Sequence, residues 1–357
     1  MNTIAYSSPF VPVEWIVAHG LRPHWLRLRA AAGRPLVATA RGVCPYAGAL
    51  VDAALAGIEA AGVVLTTICD QMRYAAALLA SRGSCPVFLL NVPSTWQTAA
   101  VRKLYLDELR RLGRFLVQLG GQSPGDADLA QVMLAYDRAR LAVRAAREWL
   151  SARQFADALA ELRGPAWGLS QFSPERKWDC PLPFPNERKW DCPLRSPNVP
   201  LAGGIALAIL GGPLLEADYA LFDLVEQAGG RVVLDATEGG ERTLPAPFDP
   251  ARIASPPLEE LAHAYFDAIA DAFRRPNDKL YEWLGRELAT RQVRGIIFRR
   301  YVWCDLWHAE LQRLKQWSPV PVLELDAGPD DTSAPNRMQG RVEAFLEMLL
   351  TPAQPVP

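Results

Sequence analysis

No apolar run in this chain approaches the ~20 residues that a helix needs to cross a bilayer. The first residues, Met-Asn-Thr-Ile-Ala-Tyr, lack the basic-then-apolar order of a secretory leader, so the expected location is the cytoplasm. Net charge is scarce as well. The 38 Lys and Arg against 39 Asp and Glu leave −1, which removes the electrostatic case for nucleic acid or an anionic membrane as partner. There is no G-x-S-x-G, no G-x-x-x-x-G-K-[ST] and no H-E-x-x-H. Esterase, P-loop and zincin chemistry therefore have no support, and the chain is not expected to hydrolyse ATP itself. Cysteine is sparse too, with six in 357 residues. Disulfide frameworks belong to small secreted chains, so these thiols read as ligands, nucleophiles or buried core residues.

Half the residues are hydrophobic, enough for two cores rather than one at this length. Short apolar segments alternate with longer amphipathic ones, the signature of parallel βαβ units. Strands are expected at Pro35 to Ala40, Gly62 to Thr67 and Pro86 to Val92, then at Gly204 to Leu210, Val232 to Leu234, Val293 to Phe298 and Val320 to Leu325. Helices are expected at about 12–20, 46–60, 71–81 and 97–119, and as one continuous helix from Asp126 to Leu162 that packs back on the first domain. Ser94-Thr95 is read as the cap of the long helix that follows it. In the second half, helices are expected at 214–228, 257–273, 278–290, 305–317 and 335–350.

Residues 166–200 interrupt this alternation with many prolines. Within them E-R-K-W-D-C-P-L occurs twice, at 175–182 and 187–194. A copy this short is not a solenoid unit, which runs about 20 residues or more, so it reads as a duplication in an exposed connection. Cys180 and Cys192 are available as ligands, but one copy suffices structurally and at least one of these thiols is spare. The expected architecture is α/β, with two parallel-sheet domains at 1–165 and 201–357 and this linker between them.

Ligand sites in open parallel sheets collect beyond the carboxyl ends of strands. Cys44, Cys69 and Cys304 all fall there, each at the start of a helix. A thiolate at such a place is favoured by the helix dipole and by nearby cations, for which Arg41, Arg73, Arg299 and Arg300 are the candidates. Three thiolates suit an iron–sulfur cluster with one iron left open, since closed clusters and structural zinc take four. Gly211-Gly212-Pro213 follows a strand and precedes a helix, so its amides are placed to meet a coenzyme A phosphate, with a plain tight turn as the competing reading. Asp70 and Asp305 are read as helix caps. His308 lies one turn beyond Cys304, and Trp303 stands beside it.

Several segments resemble the family of 2-hydroxyacyl-CoA dehydratase and benzoyl-CoA reductase subunits. They are S-P-F-V-P-V-E-W-I-V-A-H-G-L-R-P, R-G-V-C-P-Y, T-T-I-C-D-Q-M-R, P-V-F-L-L-N-V-P-S-T-W-Q-T, L-Y-L-D-E-L-R-R-L and Y-V-W-C-D-L-W-H-A-E. The resemblance implies that the two parallel-sheet domains are Rossmann-like and that Cys44, Cys69 and Cys304 hold a [4Fe–4S] cluster in the cleft between them. It implies an acyl-CoA substrate whose thioester takes up one electron and expels its hydroxyl group, or a benzoyl ring reduced in its place. A homologous second subunit and an ATP-hydrolysing iron–sulfur activator are the implied partners. Two alternatives stand beside it. One is a non-catalytic partner or assembly subunit; the other is a double-cubane reductase drawing on Cys85, Cys180 and Cys192.

Overall fold

A computed structural model describes residues 1–30, 42–83, 85–164, 203–254, 256–328 and 334–351. The strand expected at Pro35 to Ala40, Arg41, and the duplicated segment with Cys180 and Cys192 lie outside the described residues. Two four-stranded sheets, parallel throughout, organise the rest. The first holds β1 (Thr3–Tyr6), β2 (Arg22–Trp25), β3 (Gly62–Thr66) and β4 (Val87–Leu90); the second holds β5 (Ile205–Gly211), β6 (Gly230–Ala236), β7 (Gly295–Tyr301) and β8 (Val322–Ala327). The orders are β2-β1-β3-β4 and β6-β5-β7-β8, so each sheet runs second, first, third, fourth. Covered on both faces, the inner strands are apolar runs such as G-V-V-L-T and I-A-L-A-I-L-G.

The first sheet starts earlier in the chain than the periodicity suggests. β1 and β2 are only four residues each and carry no long apolar run. They form because Thr3 to Tyr6 pair with Arg22 to Trp25 across the short helix α1 (Val13–Ala18). Pro12 precedes α1, and Gly20, at φ +73°, turns the chain out of it. Helices α2 (Pro45–Gly57), α3 (Asp70–Arg82) and α4 (Ala99–Gln118) follow. Thr98, not Ser94 or Thr95, caps α4, its hydroxyl accepting from the Val101 amide.

The expected continuous helix from Asp126 to Leu162 is two helices, α5 (Asp126–Ala145) and α6 (Ala152–Leu162). Ser151 and Gln154 form a reciprocal capping box that restarts the chain, a signal present in S-A-R-Q. The break lets α6 leave the first sheet. It packs on β6 and on α7 (Ala220–Gln227), and Ala152 and Ala156 join the core of the second sheet.

A segment of the second half crosses the other way. Helices α8 (Pro250–Ile253) and α9 (Pro257–Ala262), with the π-turn His263–Asp267, bury Leu261, Phe266 and Phe273 in the core around Ile4, Phe10 and Tyr105. The helix does not run on to Phe273 as its pattern suggests. Lys279 takes the Asp267 carbonyl at 2.8 Å and Arg242 the Ala270 carbonyl at 2.6 Å, oxygens that a continued helix would use itself. The crossing is sewn by a buried polar group: Glu14 of α1 pairs with Arg140 of α5 and accepts from Tyr265 at 2.7 Å. Helices α10 (Asp278–Thr290), α11 (Asp305–Trp317) and α12 (Ala334–Leu350) complete the second unit. No helix among the described residues is long and apolar enough to cross a membrane.

Candidate metal centre at the junction of the two sheets

In a sheet ordered second, first, third, fourth, the strand order reverses between the first and third strands, and loops leaving there open a crevice. Cys69 stands three residues beyond β3 and Cys304 three residues beyond β7, both third strands. Each is the N-cap of the next helix, α3 or α11, and each helix opens on an aspartate and runs 13 residues. Cys44 is the N-cap of α2, in the connection from the second strand to the third, with Pro45 fixing the first turn. Aspartates 70 and 305 are therefore first-turn residues rather than caps. Both are exposed, so they complement the helix dipole without orienting the thiols.

The fold brings the three cysteines together. Buried Cys44 and half-buried Cys69 and Cys304 belong to one apolar cluster that includes Leu215 and Tyr301 of the second unit. The Cys304 thiol responds electrostatically to both Cys44 and Cys69. All three thiols are held in the neutral form. Burial is the first cause in each case, and it pushes Cys69 and Cys304 up to about 12. First-turn amides oppose this at every site: Ala47 and Tyr46 for Cys44, Met72 and Gln71 for Cys69, Trp307 for Cys304.

The three expected cations among the described residues are paired with carboxylates instead. Arg299 is turned to Asp218 at 2.5 Å, Arg300 to Asp326 at 2.7 Å, and Arg73 to Asp70 at 3.7 Å. Three thiols whose thiolates are favoured, among the described residues, by helix amides, and that repel one another once charged, form a donor set suited to a strongly cationic soft metal group. No group of three His, Cys, Asp or Glu among the described residues is close enough for a single ion. A cluster asks for less, since each thiolate binds a different iron.

Gln71 fixes the geometry and carried no signal in the sequence. Its Oε1 accepts from the Cys44 amide at 3.1 Å and its Nε2 donates to the Gly42 carbonyl at 3.2 Å. One side chain from the first turn of α3 thus holds the Cys44 loop against the helix that Cys69 caps. Thr67 does similar service below Cys69, donating to Asn91 and accepting from the Val92 amide.

Gly211 ends β5 and Gly212 follows it, in the loop on the first-strand side of the crevice. A Cβ on Gly211 would overlap the Arg299 carbonyl, and one on Gly212 would lie 2.9 Å from the Trp307 ring. Close packing alone requires both glycines. His308 is exposed on α11, and Trp303 is 52% exposed in the left-handed region at φ +68°. Cys85 sits just before β4, at the opposite end of the sheet, with its thiol on the Ala60 carbonyl at 3.3 Å. His19 is buried with Nδ1 on the Trp15 carbonyl at 2.7 Å, a structural role. A cavity of about 700 Å3 lies elsewhere, lined by Arg102, Lys103, Arg252 and Glu259 and by none of the cysteines.

The segment that closes β6 and leads away from it is acidic, with Asp235, Glu238 and Glu241. Asp235 accepts from the Thr237 amide and hydroxyl, turning the chain sharply. Arg163 donates to the carbonyls of Gly239 and Gly240, at 2.6 and 3.3 Å, and Arg242 to that of Ala236 at 2.8 Å. Arg242 is fully buried, pairs with Asp271 at 2.6 Å and lies 4.9 Å over the Trp307 ring. Between these arginines, Glu238 bonds through its amide to the Gly212 carbonyl at 3.2 Å. Its charge is felt by Cys44, Cys69, Cys304 and Tyr46.

Comparison with curated proteins finds none that matches. The family model for 2-hydroxyglutaryl-CoA dehydratase, D-component, matches residues 9–166 and 194–349, leaving out most of the duplicated segment. That match takes in seven of the eight strands and all three cysteines, and the chain belongs to this D-component family.

Proposed function

We propose that the protein is the catalytic subunit of a 2-hydroxyacyl-CoA dehydratase or benzoyl-CoA reductase type enzyme, with Cys44, Cys69 and Cys304 holding a [4Fe–4S] cluster. The observation that carries this is the meeting of three helix-capping thiols, drawn from both sheets, in a family whose description is of a dehydratase component. Bound there, a cluster with one iron free of protein ligands would supply a single electron to the thioester carbonyl of an acyl-CoA.

The chain's own residues do the rest. The first turns of α2, α3 and α11 aim amides at the three sulfurs. Gln71 fixes the spacing of Cys44 and Cys69. Trp307, wedged on Gly212 beneath Arg242, fixes α11 and with it Cys304. The loop at Gly211-Gly212 lies beside the crevice and remains the proposed contact for a coenzyme A phosphate, although packing already accounts for its glycines. The partners proposed are a homologous subunit and an ATP-hydrolysing iron–sulfur activator, in the cytoplasm.

Anaerobic purification is expected to yield about four irons per chain, the content of one cubane. Replacing Cys44, Cys69 or Cys304 by Ala one at a time should each time lower that content. Retention of full iron in all three variants overturns the assignment.

A further inference from the structure

The 250–273 segment, which crosses from the second unit to the first, packs on α4 and leaves a groove beside it. This is the cavity of about 700 Å3, a volume in the range of small-molecule sites. One wall is the N-terminal half of α4, with Arg102, Lys103 and Arg110. The other is α8, α9 and the π-turn, with Arg252 and His263. Leu106, Ala262 and Phe266 add apolar lining. Basic side chains far apart in the sequence thus line one space.

Buried acids hold these cations in place. Asp267, 7% exposed, accepts from Arg102 Nε at 3.0 Å and meets His263 Nδ1 at 2.8 Å. The terminal nitrogens of Arg102 and Nε2 of His263 are left without a hydrogen bond among the described residues. Glu260, 3% exposed, accepts the Asp249 amide at 2.8 Å through Oε1. Its Oε2 is buried without a hydrogen bond, 3.6 Å from Arg252 Nη1. Lys103 and Arg110 share Asp107, at 2.6 and 2.8 Å. Counted with Glu259, the whole set is close to neutral, but Glu260 and Asp267 are buried while the arginines and the lysine are about half-exposed or more. The positive groups are the ones that reach the space. Fixed at one nitrogen and open at another, Arg102 and His263 lose little rotamer freedom when a ligand arrives.

We propose that this groove binds an organic diphosphate, the chemistry shared by a free nucleoside diphosphate and the nucleotide end of coenzyme A. Guanidinium forks match phosphate oxygens in pairs, and cations on two walls suit a ligand with more than one charged group. The apolar lining suits the carbon body that such a group carries. None of the cysteines lines the groove, and the proposal does not rest on the function proposed above.

Titration calorimetry of the full chain, purified anaerobically, tests this with ADP, AMP and coenzyme A as probes. ADP should bind, and AMP more weakly by about tenfold or more. Lys103→Gln and Arg252→Gln should each weaken ADP by about ten- to a hundredfold, the effect of one charge-assisted hydrogen bond. Lys103→Gln disturbs only Asp107, which keeps Arg110, so the fold is preserved. Arg341→Gln, the same charge change at an exposed position on α12, should bind ADP as the wild type does. Coenzyme A weakened in step with ADP assigns the groove to the nucleotide end of a thioester; coenzyme A unaffected by the groove variants assigns it to a free nucleotide. Absence of ADP binding overturns the proposal, as does equal binding by the wild type and both groove variants. So does AMP bound as tightly as ADP, or an equal loss in Arg341→Gln. Iron content, which tests the function proposed above, is not read, so the two fail separately.

Discussion

The ends of β3 and β7 are the same device built twice. Each third strand is followed by two residues, a cysteine, an aspartate and a helix of 13 residues. The residue before the cysteine is where they part. Ile68 is half-buried between two cores, whereas Trp303 is exposed and held in the left-handed region. The ends of the second strands differ more. One connection delivers a thiol clipped by Gln71, the other a carboxyl on a loop whose backbone carbonyls two buried arginines hold. A pair of similar units thus presents two matched thiols at the third-strand ends and, after the second strands, a thiol in one unit and a carboxyl in the other.

The strongest test of the matched pair is to remove each partner. Cys69→Ala and Cys304→Ala should both abolish activity and lower iron well below the about four per chain of one cubane. An unequal result, with one variant fully loaded, breaks the equivalence of the two strand ends.

Next comes the clamp of the second unit. Arg242→Leu leaves Asp271 buried without its partner and should cost about 3–5 kcal/mol in urea unfolding. Adding Asp271→Leu should recover much of that loss. In the first unit the clip is lighter. Gln71→Ala removes two hydrogen bonds worth about 1 kcal/mol each, so iron should leave faster to a chelator while unfolding shifts by about 2 kcal/mol, less than for Arg242→Leu.

In the protein without metal the carboxyl and the thiols have the same sign of pH dependence and differ in the range where it appears. Glu238 is raised from its ordinary 4.5 to about 8, so in that interval the folded chain holds a proton that the unfolded chain has lost. Its contribution is fully present below 4.5 and fades as pH rises toward about 8. Glu238→Gln should flatten that part of the stability profile, and an unchanged slope would falsify the assignment of the buried acid. The smallest effect is expected at Trp303. Trp303→Gly relieves a left-handed backbone worth about 1–2 kcal/mol, partly offset by the added freedom of glycine when unfolded, so thermal stability should rise slightly.

Much of the fold was legible because it is encoded between neighbours. The G-V-V-L-T and G-I-I-F runs give strands β3 and β7 where their apolarity places them, and α10 spans the expected residues, Asp278–Thr290. β1 and β2 were not legible, since four-residue strands exist only through their partners. The break between α5 and α6 was written in S-A-R-Q but outweighed by a long alanine-rich period. Of the site, the three cysteines could be named from strand ends and family resemblance. The arginines offered as their cations could not be judged, because Arg299 and Arg300 are turned to Asp218 and Asp326 from other parts of the chain.

The sequence by itself determined the two rounds of strand and helix, and with them the cysteines at helix N-termini, because periodicity, proline and glycine act within a few residues. The tertiary structure decided that these ends face one another. It exchanged α6 and the 250–273 segment between the units. Such placement depends on buried ion pairs and crossing connections that join residues more than a hundred positions apart, as Arg140 joins Glu14, and local pattern carries no record of them.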